Sequence, residues 1–242
     1  MHILLNYFFQ GSLSVLLRNP KYISFTWEDP LLKMAMDIAR GVRYLADNDI
    51  VHRDLKADNV LVTPTFRCKI TDFGTGKVLM DRETRTQCGT LQFIAPEIIR
   101  GEKYGLACDV FSYGVVLAEI ATKEVPYTGR YDDGQSLMRA VVMENVRPIL
   151  PDDLDRDIAK LAEDCWQFDP LTRPDWDEIL DRLQLILAKQ LEGKHDKQRR
   201  ARRVNHKQND EESSVVKPSI KYSDRTLHLT PMAIAQQQHS DA

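Results

Sequence analysis

Cysteine is scarce in this 242-residue sequence, and its four copies, Cys68, Cys88, Cys108 and Cys165, show no C-x-x-C spacing. A dense disulfide framework is excluded and a zinc site disfavoured, so a reducing compartment is the default. No apolar run approaches the ~20 residues that a membrane-spanning helix needs. The opening MHILLNYFFQGS lacks the cationic start and small-residue cleavage site of a secretory signal. Glycine and proline, eleven of each, are too few for a collagen-like or linker-like chain. The formal net charge of −3 leaves no global basic footprint for nucleic acid. What is present is an ordinary globular balance, 43% apolar and 29% charged, in a chain long enough for one large domain or two small ones. An intracellular, cytoplasmic protein is expected.

Charge is spread unevenly. From Leu191 onward there are 10 Lys/Arg and 7 Asp/Glu, whereas residues 1–190 hold 23 and 29. Only 14 of the last 52 residues are apolar, and Tyr222 is their sole aromatic. Such a segment cannot bury enough surface to offset its ordering entropy. The composition therefore predicts a folded unit over 1–190 and a polar, partly basic, mostly disordered tail over 191–242. Within the tail lies the run Arg199-Arg200-Ala201-Arg202-Arg203, flanked by Lys194, Lys197 and Lys207. Nuclear import or an anionic surface would suit it, and a plain solvated tail is the competing reading.

The first 190 residues carry strong helical patterns and few strands. Thr26-Trp27-Glu28-Asp29-Pro30 reads as a helix start, with a capping hydroxyl, an acid three residues on and proline in the first turn. Leu31, Ala35, Ile38, Val42 and Leu45 then mark one face of a helix reaching about Ala46. Residues 109–121 are apolar nearly all round, which predicts a buried central helix. Ile158, Leu161, Ala162 and Cys165 stripe another helix. Trp176, Ile179, Leu180, Leu183 and Leu187 stripe a further one that starts at Asp175. Val60–Thr63 and Arg67–Ile70 can pair as a hairpin across Pro64 and Thr65. The expected fold is mainly α, with one hairpin inserted after the first long helix.

That hairpin lies between the two segments that carry the chemistry. The first is His52-Arg53-Asp54-Leu55-Lys56-Ala57-Asp58-Asn59, and the second is Asp72-Phe73-Gly74. Asp54 and Asn59 are five apart, Asp72 is thirteen further on, and Ala95-Pro96-Glu97 follows. Then come Asp109-Val110-Phe111-Ser112-Tyr113-Gly114 and Cys165-Trp166, Asp169-Pro170 and Arg173-Pro174. In this order, over roughly 1–190, these motifs closely resemble the C-terminal lobe of a eukaryotic protein kinase, a helical lobe of an α+β family whose short hairpin carries the catalytic and metal-binding loops.

The resemblance implies ATP and magnesium as cofactors, protein substrates and an upstream kinase as partners, and a role for each matching residue. Phosphoryl transfer needs positioning and charge neutralisation more than covalent help. Asp54 would accept the proton of the substrate hydroxyl, and Lys56 would supply a compact cation for the γ-phosphate. Asn59 and Asp72 offer hard oxygen ligands for magnesium, and the hairpin returns Asp72 to the side of Asn59. Leu61 would form the apolar floor under the adenine. Leu5-Asn6-Tyr7-Phe8 resemble the family's hinge, with Leu5 at its gatekeeper position. Glu97 and Arg173 match an ion pair beneath the substrate-facing loop, and Asp109 matches a carboxylate that holds the catalytic-loop backbone. His52, Phe73 and Gly74 look like scaffolding: His52 and Phe73 resemble members of a stacked hydrophobic spine. Lys56 and the stretch from Gly89 to Glu97, in which Thr90 would bond the catalytic residues, resemble serine/threonine kinases. Residues 38–45 and the Cys165–Pro174 motif resemble the tyrosine-kinase-like branch, so serine/threonine specificity is expected with dual specificity left open. Thr86, with Thr84 next, resembles an activation-loop phosphosite that Arg53 would read.

The match stops at the N-terminal side. The sequence contains no Gly-rich phosphate loop, no V-A-x-K-like strand lysine and no partner glutamate for it, so half of an ATP site is expected to be missing. A fragment of a complete kinase is the expected reading. A non-catalytic interaction module, acting through the helical lobe and tail, is the alternative. Nucleic-acid binding through the Arg199–Arg203 run is disfavoured, because aromatics do not interleave with it and the folded part is acidic.

Overall fold

The computed structural model describes residues 10–72 and 91–215. The chain divides into two units, 1–194 and 195–242. In the first, a short helix α1 (Leu13–Leu17) starts at Ser12, whose hydroxyl accepts from Val15 N at 3.4 Å. Helix α2 (Leu31–Ala46) follows, and the five apolar positions that mark its face in the sequence are all buried. Its start differs from expectation. Helix α2 begins after Pro30 with no side-chain cap, because the Thr26 carbonyl itself accepts from Asp29 N at 3.1 Å and from Leu31 N at 3.2 Å. The backbone turn fills the role expected of the hydroxyl.

The hairpin consists of β1 (Val60–Val62) and β2 (Cys68–Ile70), antiparallel, with Val60 opposite Ile70 and Val62 opposite Cys68. Thr63 and Arg67 fall in the turn instead of in the strands. Arg67 N donates to the Thr63 hydroxyl at 3.0 Å, and Phe66 takes a left-handed conformation at φ 57°. Residues 10–11 run along the other edge of β1, through Gln10 N to Val62 O (2.6 Å) and Val62 N to Gly11 O (3.0 Å).

Two devices fasten the hairpin to α2. Asp37, buried on α2, accepts from Arg67 Nε (2.6 Å), from Arg67 through its second nitrogen (2.7 Å) and from Cys68 N (3.1 Å). Gly41 lets the two elements touch, since a Cβ there would lie 2.7 Å from Ile70 Cγ1.

After α3 (Pro96–Ile99), the chain enters α4 (Ala107–Thr122), in which every residue from Cys108 to Ile120 is buried. Gly114 allows α4 to meet α6 (Arg156–Cys165) almost backbone to backbone; a Cβ there would be 2.9 Å from Cys165 Cβ and 3.0 Å from Ala162 O. Tyr113, also on α4, donates from its hydroxyl to Ala35 O on α2 at 3.0 Å and sets its ring edge-on to Trp176. Between them lies α5 (Gly134–Met143), capped by Asp133 and buried through Leu137, Ala140 and Val141, a helix that the sequence patterns did not single out. Asp155 caps α6 through Asp157 N and Ile158 N, and Asp175 accepts from Glu178 N (2.8 Å) where α7 (Trp176–Val215) begins.

Helix α7 continues well past Leu191, where composition predicts an unordered tail. Composition there bears on burial, whereas helical hydrogen bonds are local and need no core. Residues 191–212 are rich in Lys, Arg, Gln and Glu, which are good helix formers, and contain no proline.

One buried charge makes the fold sensitive to pH. Glu119 on α4 is 1% exposed and pairs with Arg18, whose other terminal nitrogen donates to Ser14. Burial pushes the Glu119 carboxyl up to about 7 against the pull of Arg18, and the charge of Asp58 adds to the rise. A carboxyl raised on folding favours the native state below its unfolded value of about 4.5. That contribution fades as pH climbs through the folded value. Glu119→Gln keeps an acceptor for Arg18 and removes the titration, so its denaturation midpoint should rise relative to wild type between pH 5 and pH 8. Parallel midpoint–pH curves for the two proteins would contradict this account.

Candidate active site

The site is assembled around a carboxylate that takes no part in chemistry. Asp109 lies in the first turn of α4, 1% exposed, and accepts from two consecutive backbone amides: His52 N at 2.7 Å and Arg53 N at 2.9 Å. Burial pushes its carboxyl up, and the two amide donors pull the other way. The bonds hold Arg53 in the left-handed region, at φ 68°, a conformation that costs a non-glycine residue free energy unless its surroundings impose it.

His52 carries the constraint onward. Its ring is fully buried, accepts from Asp54 N at Nδ1 (3.3 Å) and meets Thr71 O at Nε2 (3.0 Å). The amide donor to Nδ1 assigns the proton to Nε2, so the ring bridges the two loops as a neutral tautomer. Thr71 N in turn donates to Asn59 O at 3.0 Å. With Thr71 held from both sides, Asp72 follows in a left-handed conformation, φ 58°, and is exposed.

Asp54, Lys56 and Asn59 come together. The Asn59 amide nitrogen donates to Asp54 O (2.8 Å) and Asp54 Oδ2 (2.9 Å), and Lys56 Nζ reaches the same Oδ2 at 2.9 Å. Asp54 Oδ1 is buried and, among the described residues, has no hydrogen-bond partner. The carboxylate is thus fixed by one oxygen and has an unmet acceptor at the other. Both bonds of Asn59 use its amide nitrogen, which leaves the Oδ1 lone pairs for a cation. Leu61, on β1 opposite Lys69, is half-buried beside Ser12. Arg53 places its guanidinium 5.5 Å from the Tyr104 ring, with Nε buried and, among the described residues, unpartnered. Leu5, Asn6, Tyr7, Phe8, Phe73, Gly74, Thr84, Thr86 and Thr90 lie outside the described residues.

Below the site, Arg173 and Glu97 form a two-pronged ion pair, 2.7 and 2.8 Å, with side chains 0% and 2% exposed. Arg173 spends its remaining donors on the carbonyls of Gln167, Ala107 and Phe168 and stacks over Phe111. Arg147, which no motif flags, also approaches the Phe111 ring and donates to Trp166 O and Val146 O at 2.8 Å. Ser112, inside the Asp109–Gly114 motif, donates to Phe93 O at 2.7 Å and so holds the segment before Ala95. Neither role has a spacing signal, because each depends on a carbonyl that any residue could supply.

Removing one member of the buried pair strands the other charge. Arg173→Ala or Glu97→Ala should lower unfolding free energy by ~3–5 kcal/mol, read from urea denaturation, with the double replacement less than additive. Losses below ~1 kcal/mol would show the pair to be solvated in solution.

A family model described as protein tyrosine and serine/threonine kinase matches residues 1–183. The chain is similar to the Dictyostelium discoideum protein named "Probable serine/threonine-protein kinase drkC", 40% identical over 191 residues, covering 76% of this chain and 25% of that one. Serine/threonine-protein kinase STY17 of Arabidopsis thaliana is 38% identical over 158 residues, 65% of this chain and 27% of its own length. Serine/threonine/tyrosine-protein kinase HT1 of the same plant is 36% identical over 179 residues, covering 74% of this chain and 45% of HT1. The chain spans between a quarter and a half of the length of these relatives.

Proposed function

Since the chain belongs to the protein tyrosine and serine/threonine kinase family, we propose that it serves ATP-dependent phosphoryl transfer to serine and threonine hydroxyls of protein substrates. The observation that carries this reading is the divided carboxylate of Asp54: Oδ2 held by Asn59 and Lys56, Oδ1 an acceptor without a partner among the described residues. A general base needs that arrangement, one oxygen fixed for orientation and one with acceptor capacity left for the substrate proton. Magnesium-bound ATP supplies the phosphoryl group and neutralises its charge when bound.

The chain's own residues do the positioning. Asn59 Oδ1 and the Asp72 carboxylate would hold magnesium as hard oxygen donors. Lys56, beside Asp54, would place its ammonium against the γ-phosphate. Asp54 Oδ1 would take the hydroxyl proton and align the oxygen for in-line attack. The names of STY17 and drkC support serine/threonine specificity, and the name of HT1 supports leaving tyrosine open.

The test compares phosphotransfer by the 242 residues with a version joined upstream to a Gly-rich lobe bearing a strand lysine. In the joined form, Asp54→Asn should reduce turnover by ~10²–10⁴-fold with nucleotide affinity nearly unchanged, because its role is expressed in the transition state. Asp72→Asn should weaken magnesium-dependent nucleotide binding as well. Wild-type turnover in both variants would end the kinase reading, and an inactive joined form would favour a non-catalytic interaction module.

A phosphate on Thr86 would add roughly −1.5 to −2 charges, and the buried Arg53 Nε offers it a donor. Thr86→Ala and Arg53→Ala should then lower activity equally, with the double mutant little worse than either. Fully additive losses would assign the phosphate to another reader.

A further inference from the structure

A cleft of about 510 Å³ lies between α2 and the hairpin, away from Asp54 and unused by the chemistry above. Asp37, Arg40, Arg67, Lys69 and Ile70 are among the residues that line it. Its one carboxylate is already committed. Asp37 Oδ2 accepts from Arg67 Nε and Cys68 N, and Oδ1 accepts from Arg67 at 2.7 Å, so the Asp37 and Arg67 charges cancel. Arg40 reaches Oδ1 only at 3.5 Å and keeps 49% of its side chain exposed. Lys69 is exposed and, among the described residues, has neither an ion-pair nor a side-chain hydrogen-bond partner. One carboxylate thus faces three cations, Arg40, Arg67 and Lys69, and the cleft keeps a net positive charge beside Ile70, a half-buried aliphatic side chain.

The surrounding charge narrows the choice of occupant. Residues 1–190 carry 29 acids against 23 bases, so an extended polyanion such as nucleic acid or an anionic membrane is repelled at range. A short acidic segment meets chiefly the local excess of positive charge in the cleft. We propose that this cleft docks a short acidic peptide segment of a partner protein, with carboxylates paired to Arg40 and Lys69 and an aliphatic side chain set against Ile70. The proposal does not depend on the kinase reading. Exposed ion pairs are individually weak and screened by salt, so the affinity is low and falls as ionic strength rises.

The experiment uses the full 242-residue chain and a fluorescein-labelled twelve-residue peptide, Glu-Glu-Leu repeated four times, read by fluorescence anisotropy at low salt. A Lys-Lys-Leu peptide, a labelled DNA duplex and phosphatidylserine vesicles are the comparisons. Lys69→Glu, at an exposed and unpartnered position, should weaken the acidic peptide by at least ~10-fold, and adding Arg40→Glu should weaken it further. Lys103→Glu, exposed in another loop, should leave it unchanged, as should glutamine substitution of the Arg199–Arg203 run. Retained thermal melts establish that the variants fold, and Lys69→Glu alone decides the matter if the double variant does not. The proposal is overturned if the acidic peptide fails to bind, if binding survives Lys69→Glu, or if it follows the Arg199–Arg203 run. Preferential binding of the basic peptide, or Lys69-dependent binding of the duplex or vesicles in place of the acidic peptide, overturns it equally.

Discussion

The site depends on one buried carboxylate, Asp109, held by two backbone amides. Taking a charge out of water is costly, and Asp109 is compensated by His52 N and Arg53 N and, among the described residues, by no side-chain cation at hydrogen-bond distance. That choice fixes backbone instead of side chains. Once His52 and Arg53 are pinned, Arg53 is forced left-handed and the chain turns to present Asp54. The His52 ring then reads the position of Thr71 and sets Asp72. A chain of short, directional bonds runs from the central helix to both acidic positions, with no flexible side chain along the way.

The same economy appears beneath the site. Arg173 could have met Glu97 as a simple pair, but its other donors are also spent on the carbonyls of Gln167 and Phe168 and on that of Ala107 at the start of α4. A buried ion pair with unmet hydrogen-bonding capacity destabilises; one with every donor used ties segments that burial alone would leave free to slide. Gly114 and Gly41 make these ties possible by allowing helix on helix and helix on hairpin to approach until a methyl group would not fit. Close packing and polar fastening are therefore coupled: Asp37 can bond Cys68 N only because α2 lies so near β2.

Much of this was legible in the sequence. Helix α4 was plain because thirteen consecutive buried residues leave no polar face, and α2, α6 and the start of α7 were plain because their stripes keep a period near 3.6. Asp54, Lys56 and Asn59 were legible through the resemblance of the His52–Asn59 and Asp72–Gly74 segments to a kinase's catalytic and metal-binding loops. Three kinds of feature were not. Helix α5 has a short apolar face of Leu137, Ala140 and Val141, too sparse to stand out from its neighbours. The start of α2 was misread because a backbone carbonyl can replace a capping hydroxyl. Arg147, Ser112 and the Asp37–Arg67 tie were hidden because their partners are carbonyls or lie thirty residues away, and neither leaves a local pattern.

The tail marks the boundary of compositional reasoning more sharply. Low apolar content says that residues beyond 191 have little to bury, but it is silent on whether they coil or continue a helix already nucleated. A helix entering that stretch from Trp176 has met its nucleation cost inside the folded unit, where Trp176, Ile179, Leu180 and Leu183 are buried. Each added residue then contributes one hydrogen bond at the cost of its own conformational entropy. For Lys, Arg, Gln and Glu that balance is near neutral or favourable. Helix through Val215 and a polar composition are thus compatible, because the first depends on the preceding turn and the second on the surrounding core.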